Sequence, residues 1–195
     1  MYRAMTWWML EHGVDVHDQQ DVAAHVEEPV LVSGTDPLAP SITVDGIDVS
    51  VPIREAAVTG AVSLVSAVPQ VREVLVAKQR RAAAEAAAGI VIEGRDIGTV
   101  VLPDAGLKVY LTADQDVRAA RRAAEDAARA GGNDVDAAVL EATQAALARR
   151  DAIDSQRESS PLAMADDAVH VDATALNLAE VIDVVLELAR KAEQS

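Results

Sequence analysis

The sequence has no cysteine and no phenylalanine, and two tryptophans and two tyrosines are its only aromatic residues. Without cysteine, disulfides and thiolate-bound metals are excluded. Without phenylalanine, the core must be built from Ala, Val, Leu and Ile. Half of the 195 residues are apolar, which is enough for a sizeable core and unlike a disordered chain. Basic charge is also scarce: 17 Lys and Arg face 32 Asp and Glu, for a net charge of −15. An acidic surface repels phosphate backbones, which argues against general nucleic-acid binding. Any arginine cluster therefore stands out as a local site. No apolar run approaches membrane-spanning length and no secretory leader is visible, so the expectation is a cytoplasmic protein with no membrane partner. The histidines, His12, His17, His25 and His170, lack metal-ligand spacing, and no metal site is expected from them. The length fits one domain, or one core with small inserted lobes.

What the chain does contain is organised around residues Gly89 to Ala113. Ile90-Val91-Ile92 and Val109-Tyr110-Leu111 each have the length of a strand buried on both faces. Between them, Gly94-Arg95-Asp96-Ile97-Gly98-Thr99 puts one charge of each sign directly after the first run. Ligands in α/β sheets bind at strand ends, so the placement points to a site rather than to an ordinary loop ion pair.

Upstream, Met1 to His12 reads as a helix with Gly13 at its C-terminus, Trp7 and Trp8 filling core. Val30 to Val51 alternates, and Asp45-Gly46 is a hairpin signal. Helices are expected over Ile53–Val68 and Val71–Ala88, broken at Pro69. Downstream, Asp114 is an N-cap for a helix running to Gly131-Gly132-Asn133, and a second helix begins near Asp134. Two helices joined by Gly-Gly with arginines at their roots suggest a hinged flap. Arg118, Arg121 and Arg122 are spaced i, i+3, i+4, and Arg150, Asp154 and Arg157 are spaced i, i+4, i+7, so each set shares a helix face. Ordinary surface ion pairing would produce the same spacing. A strand over Ala168–Asp172 and an amphipathic helix over Leu176–Lys191, with Val181, Val184, Val185 and Leu188 on one side, complete an α/β pattern.

In order along the chain, Met1-Tyr2-Arg3, Pro69-Gln70-Val71-Arg72, GRDIGTVVLPDA from Gly94, the RAARR run from Arg118, and RRDAIDSQR from Arg149 followed by SSPL resemble the bacterial cytidylate kinases. Singly each motif is common; their order and spacing are specific. The resemblance implies a P-loop kinase-type parallel sheet flanked by helices, with a small antiparallel insert for the nucleoside monophosphate (NMP) and a helical lid. The core would cover 1–29 and 64–120, the insert 30–63, the lid 121–149, and the C-terminal part of the core 150–195. It further implies that Ser63, Arg72 and Asp96 face a cytosine base, Arg150 and Asp154 the sugar, and Arg3, Arg95 and Arg157 the monophosphate. Lid arginines Arg118, Arg121 and Arg122 would neutralise charge on the transferred phosphoryl group. The implied reaction passes a phosphoryl group from ATP, with Mg²⁺ bridging its phosphates, to CMP or dCMP, on a monomer without nucleic-acid partners.

One part of the family pattern is not found. Nowhere does G-x-x-x-x-G-K-[ST] occur, and none of Lys78, Lys108 and Lys191 follows a glycine. The family's D-[ST]-G-x-x-Y-R survives as Met1-Tyr2-Arg3, so the strand that feeds the phosphate loop is expected to be missing. A misplaced start codon would explain this, and the upstream DNA should then encode an in-frame glycine-lysine loop. Leaving out about four buried strand residues costs on the order of 6–12 kcal/mol. The isolated 195 residues are accordingly expected to be poorly stable and inactive as a kinase. The alternative is a non-catalytic relative that binds a pyrimidine monophosphate and lacks the ATP site.

Overall fold

The computed structural model describes every residue except 37, 130, 132–135, 156–162 and 195, and of residues 129, 150, 154 and 155 the backbone alone. The chain forms two compact units, Met1–Glu93 and Gly94–Ser195.

The first unit is built on helices with a small sheet. Helix α1 (Tyr2–Glu11) ends at Gly13, whose φ of 72° is the left-handed conformation suited to glycine. Short helix α2 (Gln19–Ala24), not expected from the sequence, is capped by the Asp18 carboxylate, which accepts from the Gln20 and Asp21 amides. Strands β1 (Leu31–Ser33), β2 (Ile42–Val44) and β3 (Ile47–Asp48) form an antiparallel sheet in that order. The expected hairpin joins β2 to β3: Asp45 (φ 52°) and Gly46 (φ 80°) form the two-residue turn in which both positions are left-handed. Asp45 does more than turn. One of its oxygens accepts from the Val30 amide and the other from Trp8 Nε1, both at 2.8 Å, so the hairpin is tied to β1 and to α1. Gly46→Ala is expected to destabilise this unit by roughly 1–2 kcal/mol, because a Cβ penalises the left-handed backbone even though the space is open. Denaturant unfolding of the variant measures it.

After a 3₁₀ turn at Pro52–Arg54 come helices α3 (Ala56–Val65) and α4 (Pro69–Glu85). Pro69 occupies the first turn of α4, where its missing N–H costs nothing. The buried apolar cluster lies wholly in this unit: Ala4, Met5, Trp8 and Met9 of α1 pack with Val22, Val44, Val65, Val71 and Leu75 among others.

The second unit has the parallel pairing expected of an α/β chain. Strands β4 (Val109–Thr112) and β5 (Val169–Asp172) pair in parallel, Val109 opposite Val169 and Thr112 opposite Asp172. Lys108 steadies this pair, donating to both oxygens of Asp167 and to the Pro103 carbonyl. Helices α5 (Gln115–Arg129) and α6 (Ala137–Ser155) pack on each other. The Asp114 carbonyl accepts the Arg118 amide at 2.9 Å, as at a helix N-cap. Helix α7 (Leu178–Glu193) opens with a reciprocal capping box between Asn177 and Glu180. Its expected face, Val181, Val184, Val185 and Leu188, is half-buried, while Leu178, Ile182 and Leu186 on a second stripe are exposed.

Two sequence expectations fail: Val109–Leu111 forms its strand but is not buried on both faces, Leu111 being exposed, and the Ile90–Ile92 strand is absent. Ile90–Ile92 is not a strand, and Val91 is 97 % exposed rather than buried. A strand exists only through its ladder, and among the described residues no strand pairs with this segment. Its apolar run meets the composition of a buried strand without a neighbour to bury it.

Candidate functional site

The first unit gathers one group of predicted site residues around the start of α1. Arg3 Nη1 donates to the Ile53 carbonyl at 2.8 Å and to Thr59 Oγ1 at 3.0 Å. Thr59 lies one turn before Ser63 on α3, so both point from one side of that helix. Ser63 is buried, and its carbonyl accepts the Ser66 hydroxyl at 3.3 Å. Arg72, on the first turns of α4, is buried as well: Nη1 donates to the Ser66 carbonyl at 3.3 Å, and the guanidinium lies 5.5 Å from the centre of the Tyr2 ring. A buried cation needs such compensation from carbonyl oxygen and aromatic face. Tyr2 and Thr59 were not singled out by sequence reasoning; the positions next to Arg3 and four before Ser63 were the available signals.

The second unit gathers another group around the loop that follows Gly94. A Cβ on Gly94 would come within 2.8–2.9 Å of the Ile97 side chain, so the smallest residue lets the chain fold tightly here. Asp96 then starts a π-type turn over Ile97–Val101, with its carbonyl accepting from the Val100 amide at 2.9 Å and the Val101 amide at 3.2 Å. Widened turns of this kind re-aim side chains and recur at functional sites. The Asp96 side chain is buried.

Arg95 and Arg118 meet on Asp151, a residue that sequence reasoning missed. Arg95 Nη1 donates to Oδ1 at 2.7 Å and Arg118 Nη1 to Oδ2 at 2.5 Å. Burial pushes the Asp151 carboxyl up, but the hydrogen bonds and charges of Arg95 and Arg118 outweigh it and hold the group below the usual carboxylate range. Asp151 escaped notice because spacing from Arg150 selects Asp154 and Arg157, and a residue one step from Arg150 lies off that face. Only its distance in space to Arg95 and Arg118, 56 and 33 residues away, gives it a role.

The remaining predicted residues are distributed as follows. Arg121 Nη2 donates to the Ala173 and Leu176 carbonyls at 2.8 and 2.7 Å, bracing the loop before α7. Arg122 pairs with Asp126 one turn along α5 at 2.9 Å. The three arginines of the RAARR run thus have three different partners, although their spacing puts them on one face. Arg157 lies outside the described residues, as do the side chains of Arg150 and Asp154. The residues predicted to read the base are divided between the units, Ser63 and Arg72 in the first and Asp96 in the second.

The family model for cytidylate kinase matches residues 1–191. The chain belongs to the cytidylate kinase family. Relatives named cytidylate kinase include a protein of Streptomyces griseus, 57 % identical over 187 residues covering 96 % of this chain and 77 % of its own length. A cytidylate kinase of Nocardia farcinica is 52 % identical over 194 residues, 100 % of this chain and 80 % of its own length. One from Geobacillus kaustophilus is 44 % identical over 191 residues, 98 % and 82 % of the two lengths. The α/β architecture, with its parallel pair, antiparallel strands and flanking helices, agrees with that membership. By family, this is a kinase that uses ATP as phosphoryl donor and small nucleotides as substrates. Among the described residues, no single helix is long and apolar enough to cross a membrane.

Proposed function

We propose that this chain binds CMP or dCMP and serves its phosphorylation by ATP. The observation that carries the reading is burial. Among the described residues the buried polar side chains are Thr6, Ser63, Ser66, Arg72 and Asp96, and three of the five are the predicted cytosine-reading set. Buried polar groups meet a ligand with little competition from water, which strengthens the hydrogen bonds they make to it. A carboxylate suits cytosine, whose N4 amino group donates where uracil presents an acceptor, and buried pairing of this kind discriminates strongly.

In this reading Arg95 clamps the acceptor phosphate, and Arg3 joins it by releasing its carbonyl and hydroxyl partners. Guanidinium is suited to both tasks through its planar fork of donors. Arg118 is the best placed of the lid arginines to act on the transferred group, since it already meets Arg95 on one carboxylate. Arg121 and Arg122 would have to leave loop carbonyls and Asp126 to take part. Arg150, Asp154 and Arg157 keep their proposed roles toward sugar and phosphate. Residues 30–63 would close on the acceptor, and 121–149 would serve as the lid over the donor. Catalysis of this kind is positioning and charge neutralisation more than covalent chemistry.

Mg²⁺ would be carried mainly by the ATP phosphates. No three His, Asp or Glu side chains among the described residues form a cage for it, and Mg²⁺ in such sites takes few protein ligands. The second reading, monophosphate binding without transfer, is favoured by one sequence fact: these 195 residues contain no glycine-lysine phosphate loop. Calorimetry with CMP, paired with an assay for ADP formed from ATP and CMP, tests both. Saturable CMP binding is expected on both readings, and binding without transfer by these 195 residues favours the second. Failure of CMP to bind to the folded chain would sink both readings, and kinase-like turnover would sink the second.

A further inference from the structure

In the second unit a carboxylate lies on the two arginines that are proposed to hold phosphate. Asp151 gives one oxygen to Arg95 and the other to Arg118, so a single negative charge bridges two guanidiniums. Its charge offsets the repulsion between two cations that come from distant parts of the chain. With it, the cluster still carries one net positive charge, on a chain whose net charge is −15. The three side chains are 22–38 % exposed, which leaves them reachable by a ligand. A phosphate brings up to two charges and three acceptor oxygens, more than a carboxylate can supply to the same pair.

We propose that Asp151 is a positioning residue that stands in for phosphate, holding Arg95 and Arg118 together until a phosphate displaces it and takes both arginines. The inference rests on the reading of Arg95 and Arg118 as phosphate-binding groups. No bond is made or broken in the handover and no proton moves: one anion replaces another on the same donors. The handover costs affinity, because phosphate must compete with an anion that belongs to the chain. It gains geometry, because the acceptor-side and donor-side arginines are already convergent when the phosphate arrives.

Competition and support make opposite predictions for Asp151→Asn. As a stand-in, the carboxylate competes, so the variant should bind inorganic phosphate about two- to fivefold more tightly, the range expected for a partly exposed ion pair. As a purely structural brace, its loss would loosen the arginines and weaken phosphate binding. Calorimetry with inorganic phosphate on the 195-residue chain, on Asp151→Asn, on Arg118→Gln and on the double variant separates the two. The gain from Asp151→Asn should largely vanish in the Arg118→Gln background, because one of the competing contacts is already gone. Unchanged or weaker phosphate binding by folded Asp151→Asn, or an equal gain in both backgrounds, would overturn the proposal. A second measurement needs no variant: on phosphate titration, the side-chain N–H resonances of Arg95 and Arg118 should shift together with one apparent affinity. If only one of them responds, the proposal fails. CMP failing to bind while phosphate behaves as expected counts against the cytidylate reading and leaves the handover supported.

Discussion

Asp96→Asn is expected to abolish most of the preference for CMP over UMP. The side chain is buried, 6 % exposed, so a base that reaches it meets an acceptor screened little by water. Cytosine offers that acceptor an amino group, whereas uracil presents a carbonyl that a carboxylate repels. Asparagine has nearly the same shape but can turn its amide to donate, which removes the penalty against uracil and the charge assistance to cytosine. Hydrogen bonds to a charged partner contribute about 1.5–3 kcal/mol, so the CMP-to-UMP affinity ratio should fall roughly 10- to 100-fold. The Asp96 carbonyl, which holds Val100 and Val101 in the π-type turn, is untouched by the substitution, so the local backbone should persist. Affinities for CMP and UMP measured by calorimetry on both forms give the ratio. An unchanged ratio, or an equal loss for both nucleotides, would remove Asp96 from base recognition.

Much of the architecture can be read from local chemistry. The Asp45-Gly46 turn, the glycine after α1, Pro69 at the head of α4 and the parallel strand β5 all follow from residues that favour one conformation. What could not be read depends on partners. The composition of Ile90–Ile92 describes a buried strand, but composition does not supply the neighbour that makes one, and among the described residues no strand pairs with the segment. Periodicity can place Arg118, Arg121 and Arg122 on one face without saying that one reaches Asp151, one a pair of carbonyls and one its own helix. The same limit hid Asp151, whose importance lies entirely in contacts distant along the chain. The placement of Arg95 and Asp96 after an apolar run marked a site, while the roles of Ser63, Arg72 and Asp96 toward a base came only from the family resemblance; their shared burial is a property of the fold.

Leu75→Ala should cost the first unit about 2–5 kcal/mol. Leu75 is fully buried on α4, within a cluster that includes Met5, Met9, Val65 and Val71, so truncation leaves a cavity that close-packed neighbours fill only in part. Among its described residues the second unit has no comparable position. Its buried apolar residues among those described are Val101, Ala119, Ala123, Val171 and Ala173, all small, and no residue of α7 is fully buried. Leu178, Ile182 and Leu186 of α7 and Leu111 of β4 remain exposed. Stability follows buried apolar area, so the units should open at different free energies. Amide hydrogen exchange on the unmodified chain should show stronger protection in α1 and α4 than in α7 and the β4–β5 pair. In Leu75→Ala the protection of α1 and α4 should drop by the cost of the cavity. Slower exchange in α7 than in α4 would overturn this ordering. On the proposed anion exchange, a loosely packed second unit would let Arg95 and Arg118 trade Asp151 for phosphate, while the well-packed first unit would keep Arg72 and Ser63 in place.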